Sequence, residues 1–337
     1  MRLAFLNLPP KERRLYIEQA ALRKNISPVV MEKDFWVCLL LRILFRSEFA
    51  NSLVFKGGTS LSKVFNVIER FSEDIDLSLS PTFLGLLESG LSRNQANKWM
   101  TQAETLCGNA VQSQIMPQLE NSLQNILGQH NRKWIEYCKD PTTHSPILLF
   151  HYPSLQPEGF AYLQRSVKME FGSLTEQQPT GCYEVRPWLT DAFPEAFTDW
   201  NCKVVALELE RTFWEKATIL HAEFHRPAEK AIPDRFSRHY ADTASLALHP
   251  IANLAIGQEM LRKQVVAWKS QFFGSSWARY DLAKPGTFRL LPAKLRENIL
   301  HRDYHAMHDM YLVEPVKFDK ILSTLGELES RINSSTD

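Results

Sequence analysis

The sequence lacks any close pairing of its cysteines. Its five cysteines, at positions 38, 107, 138, 182 and 202, are scattered and include no Cys-x-x-Cys pair. Zinc knuckles and disulfide frameworks both need clustered or regularly spaced cysteines. We therefore expect neither kind of site, and reduced thiols in a cytosolic protein.

Long apolar runs and an excess of charge of one sign are absent as well. No apolar stretch reaches membrane-spanning length, and the first apolar residues are too few for a signal peptide. We expect no membrane association and a cytoplasmic location. The formal net charge is +1, so attraction to nucleic acid would have to come from a local basic patch.

The composition that is present is that of an ordinary globular protein. The chain has 337 residues, of which 44% are hydrophobic and 23% are charged. This length indicates two domains, or one core domain with a helical elaboration. No internal repeat or low-complexity tract interrupts it.

The most informative stretch is 54–79. An apolar strand runs into Lys56 and the Gly57-Gly58 turn, and a Thr59-Ser60 pair then opens a helix. A second strand follows and carries Asp74 and Asp76 two positions apart.

This order of elements suggests a particular chemistry. Side chains two apart on a strand project from the same side, and two adjacent carboxylates repel each other unless a cation lies between them. A Gly-Gly turn lets backbone N–H groups approach a phosphate closely. The stretch therefore predicts Mg²⁺-dependent phosphoryl or nucleotidyl transfer. The alternative is a surface β-hairpin with ordinary turn glycines and solvated aspartates.

The sequences KGGTSL at 56–61 and FSEDIDL at 71–77 resemble the AbiEii/AbiGii-type nucleotidyltransferase toxins of type IV toxin–antitoxin and phage-abortive systems. These belong to the polymerase β-like nucleotidyltransferase superfamily. The resemblance implies an α/β (α+β) fold with a small mixed sheet, a helical insertion and a largely helical C-terminal half. We expect a nucleotidyltransferase domain at 1–205 with the insertion at about 84–145, and a helical domain at 206–337 that closes the cleft.

Further strands and helices are predicted by the pattern of apolar residues. Strands are expected at 147–152, 167–172, 183–189 and 203–207, and long helices at 208–221 and 251–273. Upstream of the glycine turn, a helix carries Glu32-Lys33-Asp34. Lys33 and Asp34 are predicted to brace the active-site strand rather than to react.

Glu170 has two interpretations. Polymerase β-like folds place a third carboxylate beside the Asp-x-Asp strand, and Glu170 is the best candidate on the strand at 167–172. The alternative is an exposed edge strand on which Lys168 and Glu170, which share a face, form a salt bridge.

The family resemblance also points to residues in the second half of the chain. Lys216, within Glu-Lys-Ala on a helix, resembles the lysine that neutralises charge on the leaving pyrophosphate. Arg238 and Asp242 resemble the last motif, in which the arginine contacts phosphate and the aspartate orients the lysine or acts as acid or base. The alternatives are a solvated lysine and a purely structural ion pair between Arg238 and Asp242.

The expected site follows from these assignments. The catalytic residues are Asp74, Asp76, Lys216 and Asp242. The metal ligands are Asp74, Asp76 and Glu170, holding Mg²⁺ or Mn²⁺. The nucleotide-binding residues are Lys56, Gly57, Gly58, Thr59, Ser60, Lys63 and Arg238.

The expected reaction transfers a nucleoside monophosphate from an NTP to an acceptor hydroxyl. The resemblance implies a toxin that acts on RNA, at the 3′ end of tRNA, together with a cognate antitoxin. Two alternatives stay open: transfer to a small molecule or to protein, which the near-neutral charge mildly favours, and a non-catalytic nucleotide-binding module. The intact Asp-x-Asp pair argues against the last.

Overall fold

A computed structural model describes residues 3–86, 93–128, 132–156 and 164–335. Within it the chain forms two compact units. The first comprises Met1–Val64, Phe71–Leu91 and Lys98–Ala206, and the second comprises Phe65–Arg70, Ser92–Asn97 and Leu207–Asp337.

The first unit is built on a mixed β-sheet. In the described residues its strands are β1 Leu53–Lys56, β2 Ile75–Leu79, β3 Ile135–Lys139, β4 Pro146–Phe150, β5 Val167–Gly172, β6 Thr180–Glu184 and β7 Lys203–Leu207. They lie side by side in the order β3-β4-β5-β2-β1-β7-β6. Strand β2 is antiparallel to β1 and parallel to β5, and β1 is parallel to β7.

Helices account for much of the rest of the chain. Those of the first half are α1 Ala4–Asn7, α2 Pro10–Lys24, α3 Pro28–Leu44, α4 Gly57–Lys63, α5 Arg93–Ala110, α6 Met116–Leu127 and α7 Leu189–Ala192. Those of the second half are α8 Leu209–Phe224, α9 Ser237–Leu248, α10 Ile251–Gly257, α11 Glu259–Phe272, α12 Glu297–Ala306 and α13 Phe318–Asn333. The expected α/β architecture with a largely helical C-terminal half is confirmed.

Alternating side chains explain how β2 and β5 sit in the sheet. In β5, Val167, Met169 and Phe171 are fully buried, whereas the intervening Lys168 and Glu170 are half-buried on the other face. In β2, Ile75 and Leu77 are buried in the same way, and Asp76 lies on the face opposite to them. One face of the two strands therefore joins the core and the other carries acidic groups.

Helix α3 is buried on almost all sides, which fits its nearly continuous apolar sequence. It begins at Pro28, and the hydroxyl of Ser27 accepts a hydrogen bond from the backbone N–H of Val29 at 3.2 Å. This N-cap and the proline in the first turn match the break that the sequence predicts there.

The predicted insertion at about 84–145 is only partly helical. Helices α5 and α6 are joined by a π-helical turn at Val111–Ile115, so that they form one long helix. Residues 135–139 form β3 and pair with β4 instead. Residues 87–92 and 129–131 of the predicted insertion lie outside the described residues.

Two other predicted elements differ from the structure. The strand expected at 183–189 lies earlier in the chain, as β6 at Thr180–Glu184. Helix α7 already begins at Leu189. The helix expected at 251–273 is divided at Gln258, between α10 and α11. Strands β4, β5 and β7 lie close to the predicted positions.

The second unit is helical in its described residues. Helix α8 packs against α9, α10 and α11, and α13 packs along α9. Leu325 and Leu328 of α13 and Leu246 of α9 are completely buried. None of the helices in the described ranges has the length and apolar character needed to cross a membrane.

We expect Leu77→Ala to lower the free energy of unfolding by about 2–5 kcal/mol, because it removes a fully buried side chain from the middle of β2. Urea denaturation measures this change. Leu15→Ala is the control, because Leu15 is 54% exposed on α2 and its truncation should cost within about 0.5 kcal/mol. Equal effects of the two substitutions would contradict the assignment of Leu77 to the core.

Candidate active site

The Gly57 turn lies directly against Asp76. Gly57 has a φ of +81°, and a β-carbon placed on it would lie 1.9 Å from Oδ2 of Asp76. Lys56, just before it, is the register partner of Asp76 across β1 and β2. The positive φ and the missing side chain are therefore both required. The structure brings the glycine turn and the Asp-x-Asp strand together.

The third carboxylate lies next to the second. Asp76 and Glu170 are register partners on the parallel strands β2 and β5, so their side chains share one face of the sheet. Strand β5 lies between β4 and β2, so it is an interior strand and not the edge strand of the alternative interpretation. The salt bridge of that interpretation is nevertheless present, with Lys168 Nζ 2.8 Å from Glu170 Oε2.

The ammonium of Lys168 acts as a counter-ion for this acidic group. Burial alone would lower the pKa of Lys168. The hydrogen bond and charge of Glu170, together with the charges of Asp74 and Asp76, outweigh burial and raise that pKa. The ammonium thus interacts with all three carboxylates that the sequence singles out.

The donor chemistry of this cluster suits a divalent cation. Mg²⁺ prefers oxygen ligands, and one or two protein carboxylates combined with substrate phosphates commonly complete its coordination. In the ranges that the structure describes, no three His, Cys, Asp or Glu side chains form a ready-made metal cluster. The residues therefore fit an ion held by Asp74 and Asp76 together with a substrate, rather than one enclosed by the protein.

The hydroxyls of Thr59 and Ser60 are used inside the protein. Both residues are fully buried. Thr59 Oγ1 donates to the backbone carbonyl of Asp74 and lies 2.8 Å from Ser72 Oγ, while Ser60 Oγ donates to the carbonyl of Gly57 at 2.9 Å. These bonds join the residues after the glycine turn to Ser72 and Asp74, which directly precede β2. Of the other residues in the predicted phosphate-binding group, Lys56 and Gly57 are half-buried and Gly58 is buried.

Three charged residues of α3 hold the segments around the site. Glu32 accepts hydrogen bonds from Ser154 Oγ and from the N–H of Leu155, both at 2.7 Å. Lys33 donates to Glu73, which precedes Asp74, and to the carbonyl of Gln164 at 2.9 Å. The predicted bracing role of Lys33 is confirmed.

Asp34 braces the helix that follows the glycine turn. It accepts hydrogen bonds from Lys63 Nζ at 2.6 Å and from the N–H of Trp188 at 2.7 Å. Asp34 therefore holds α4 and the segment at Trp188 rather than the active-site strand that the sequence predicts. Burial would lower the pKa of Lys63, but the charge of Asp34 outweighs burial and raises it. Lys63, predicted among the nucleotide-binding residues, is thus buried in an ion pair and is not directed at a phosphate.

In the second unit, Asp242 lies at the centre of a buried charge cluster. Arg70 binds both of its oxygens, at 2.8 and 2.9 Å, and Lys216 Nζ lies 2.8 Å from Oδ2. Burial would raise the pKa of Asp242, but the charges and hydrogen bonds of Arg70 and Lys216 hold it well below its usual range. Asp242 therefore stays ionised, and Lys216 is not the solvated lysine of the alternative interpretation.

His239 is a further member of the cluster. Its Nδ1 lies 3.4 Å from Lys216 Nζ. Burial, followed by the charges of Lys216 and Arg238, lowers the pKa of His239 far below its usual value, so the ring is neutral. Arg238 itself is half-buried, and the oxygens of Asp242 are taken by Arg70 and Lys216 rather than by Arg238.

Arg70 is the member of this cluster that sequence reasoning missed. Its partner Asp242 is 172 residues away, and no motif includes it. The single signal is its position immediately before the FSEDIDL segment, where its backbone bridges Tyr311.

Comparisons with known proteins agree with the resemblance. The family model for the nucleotidyl transferase AbiEii toxin of type IV TA systems matches residues 39–324. Among solved structures, MenT4, the nucleotidyltransferase toxin Rv2826c from Mycobacterium tuberculosis H37Rv, matches with a TM-score of 0.52 and 16% sequence identity. This match covers 96% of this chain and 90% of that chain, and at such low identity it shows a shared fold alone.

No curated protein matches the chain by sequence. The family match spans most of the chain and includes both the glycine turn and the Asp-x-Asp strand. The chain therefore belongs to the AbiEii family of nucleotidyltransferase toxins of type IV toxin–antitoxin systems.

Proposed function

We propose that this chain transfers a nucleoside monophosphate from an NTP to a hydroxyl of RNA, at the 3′ end of tRNA, and acts as a toxin countered by a cognate antitoxin. The observation that carries the transferase proposal is the direct contact between the Gly57 backbone and the Asp76 carboxylate. This contact supports the proposal, because a Gly-Gly turn suits a phosphate group and carboxylate oxygens suit a divalent cation. The choice of RNA as acceptor rests on the family resemblance.

In the proposed reaction, the acceptor oxygen forms a bond to the α-phosphorus of the NTP, and the bond from that phosphorus to the bridging oxygen breaks to release pyrophosphate. Asp74 and Asp76 hold Mg²⁺ or Mn²⁺, which supplies charge neutralisation on the phosphate oxygens when bound. Glu170, next to Asp76, takes the proton of the acceptor hydroxyl. Lys56 and the Gly57-Gly58 backbone orient the phosphates.

Lys216 and Arg238 are proposed to neutralise charge on the leaving pyrophosphate. Asp242 acts as a positioning residue for Lys216, because its carboxylate holds the ammonium at 2.8 Å. Neutral His239 accepts a second contact from the same ammonium, which fixes the direction of the lysine.

The proposal is tested by incubating the protein with each labelled NTP, Mg²⁺ and total RNA, with and without a chelator. Label in tRNA that disappears with the chelator supports it. Label in a small product or in protein would replace RNA as the acceptor, and no transfer with any nucleotide would reject the enzymatic assignment.

We expect Asp76→Asn to reduce transfer by about three orders of magnitude, because a bound cation contributes several kcal/mol to the stabilisation of the transition state. Single-turnover rates with labelled NTP measure the loss. Glu136→Gln removes an exposed carboxylate on β3 and should leave the rate unchanged. An Asp76→Asn variant with the wild-type rate would refute the metal assignment.

We expect Gly57→Ala to abolish transfer, because a β-carbon at this position displaces the Asp76 carboxylate. Gly85→Ala is the matched control. Gly85 also has a positive φ, of +72°, but a β-carbon there would meet nothing within 4 Å. Both variants should lose about 1–3 kcal/mol of stability in denaturant melts, and only Gly57→Ala should lose activity. Equal activities would argue against contact between turn and carboxylate in the working enzyme.

Lys216→Gln and Asp242→Asn should separate catalysis from folding. Lys216→Gln keeps the Arg70–Asp242 pair, so we expect a stable protein with transfer reduced at least about a hundredfold. Asp242→Asn removes the buried charge that both Arg70 and Lys216 bind, so we expect a loss of about 3–5 kcal/mol in thermal or urea melts. A fully active Lys216→Gln variant would exclude a role for this lysine in the reaction.

A further inference from the structure

A cavity with basic character lies in the first unit, between the end of α3 and α6. Its volume is about 350 Å³, at the lower end of the range for small-ligand pockets. Its polar lining residues are Arg42, Arg46, Ser47, Gln118, Ser122 and Asn125.

The guanidinium of Arg42 is buried, and the hydrogen bonds it makes in the described residues go to backbone carbonyls. The residue is 4% exposed. Its Nε donates to the carbonyl of Asn201 at 3.2 Å, and its Nη2 donates to the carbonyl of Asp199 at 3.4 Å. A guanidinium has five N–H donors, so most of its donor capacity is left for the cavity that it lines.

Arg46 adds a second positive charge on the same side of the chain, four residues later. In the part of the chain that the structure describes, no carboxylate oxygen lies within 4 Å of the guanidinium nitrogens of Arg42 or Arg46. Burial, and next the like charge of Arg46, lower the pKa of Arg42, and the charge of Asp199 offsets only part of this lowering. The two arginines therefore repel each other, and an anion between them would remove that repulsion.

The facing wall of the cavity is polar and uncharged. Gln118, Ser122 and Asn125 are spaced by four and three residues, which places them on one face of α6. The nearby carboxylate of Glu48 accepts a hydrogen bond from the Gln118 amide at 3.0 Å and makes no ion pair with the arginines. Hydroxyl and amide groups beside two guanidinium groups form a donor-rich lining that suits a tetrahedral oxyanion.

This cavity is separate from the candidate active site. The partner Asn201 precedes β7, which runs parallel to β1 and pairs Ala206 with Phe55. Arg42 therefore lies near the starting ends of β1 and β7, whereas Gly57 follows the final residue of β1. Four strand residues span roughly 13 Å along the sheet.

We infer that this cavity binds a phosphate group through Arg42 and Arg46. The phosphate is either that of a small ligand or a phosphodiester of an RNA backbone, and the two sources have the same chemistry at the site. The inference does not depend on the proposed transferase activity.

The test compares wild-type protein with Arg46→Gln in two titrations that do not use catalysis. The first follows the melting temperature with inorganic phosphate at constant ionic strength. The second measures binding of a single-stranded RNA oligonucleotide over a range of salt concentrations. We expect Arg46→Gln to weaken the binding of the true ligand, inorganic phosphate or RNA, about tenfold, because one charge-assisted contact is lost. If the ligand is RNA, the slope of the logarithm of the affinity against the logarithm of the salt concentration should also decrease by about 1.

Ser122→Glu provides a second variant, whose loss of phosphate binding can be distinguished from unfolding by its melting temperature. Its new carboxylate would pair with the two arginines, so we expect a higher melting temperature without phosphate and no response to phosphate. Arg302→Gln removes an exposed arginine elsewhere and should change neither titration. If Arg46→Gln weakens the binding of inorganic phosphate, the ligand is a small phosphate compound. If Arg46→Gln weakens only the binding of RNA, the ligand is the phosphodiester backbone of RNA. Wild-type binding by Arg46→Gln in both titrations would overturn the inference.

Discussion

The first unit depends on the contacts of Glu32, Lys33 and Asp34, three consecutive charged residues that are buried in the largely apolar helix α3. Unpaired charges at such depth would cost several kcal/mol each, so every one of them has a partner. The partners come from different parts of the chain: the segment at 154–155, the approach to β2, and α4. One buried helix therefore fixes both the strand that carries the aspartates and the helix that follows the glycine turn.

The register of the sheet then determines which groups meet. Lys56 and Glu170 both lie beside Asp76, one on the antiparallel neighbour and one on the parallel neighbour. A shift of one residue would turn Asp76 toward the apolar core and Ile75 away from it. The buried residues of β2 and β5 thus hold the carboxylates in place, and the positioning of the acidic cluster needs no flexible loop.

Local sequence was sufficient for much of this architecture. The glycine turn, the Asp-x-Asp strand and the cap at Ser27 are each specified by neighbouring residues, and the paired strands β1 and β2 are consecutive along the chain. The sequence could not reveal the partner of Arg70, because an ion pair across 172 residues leaves no local pattern. The sequence is the same whether the hydroxyls of Thr59 and Ser60 bind a ligand or the backbone, so it cannot distinguish the two uses. Burial decides between these uses, and burial depends on packing.

The ammonium group of Lys168 is a counter-ion that the protein itself supplies to its acidic face. Because an ammonium on β5 interacts with Asp74, Asp76 and Glu170, the assembly of β2 beside β5 does not have to overcome the full mutual repulsion of three anions. The two strands can therefore pair without a cation between these carboxylates.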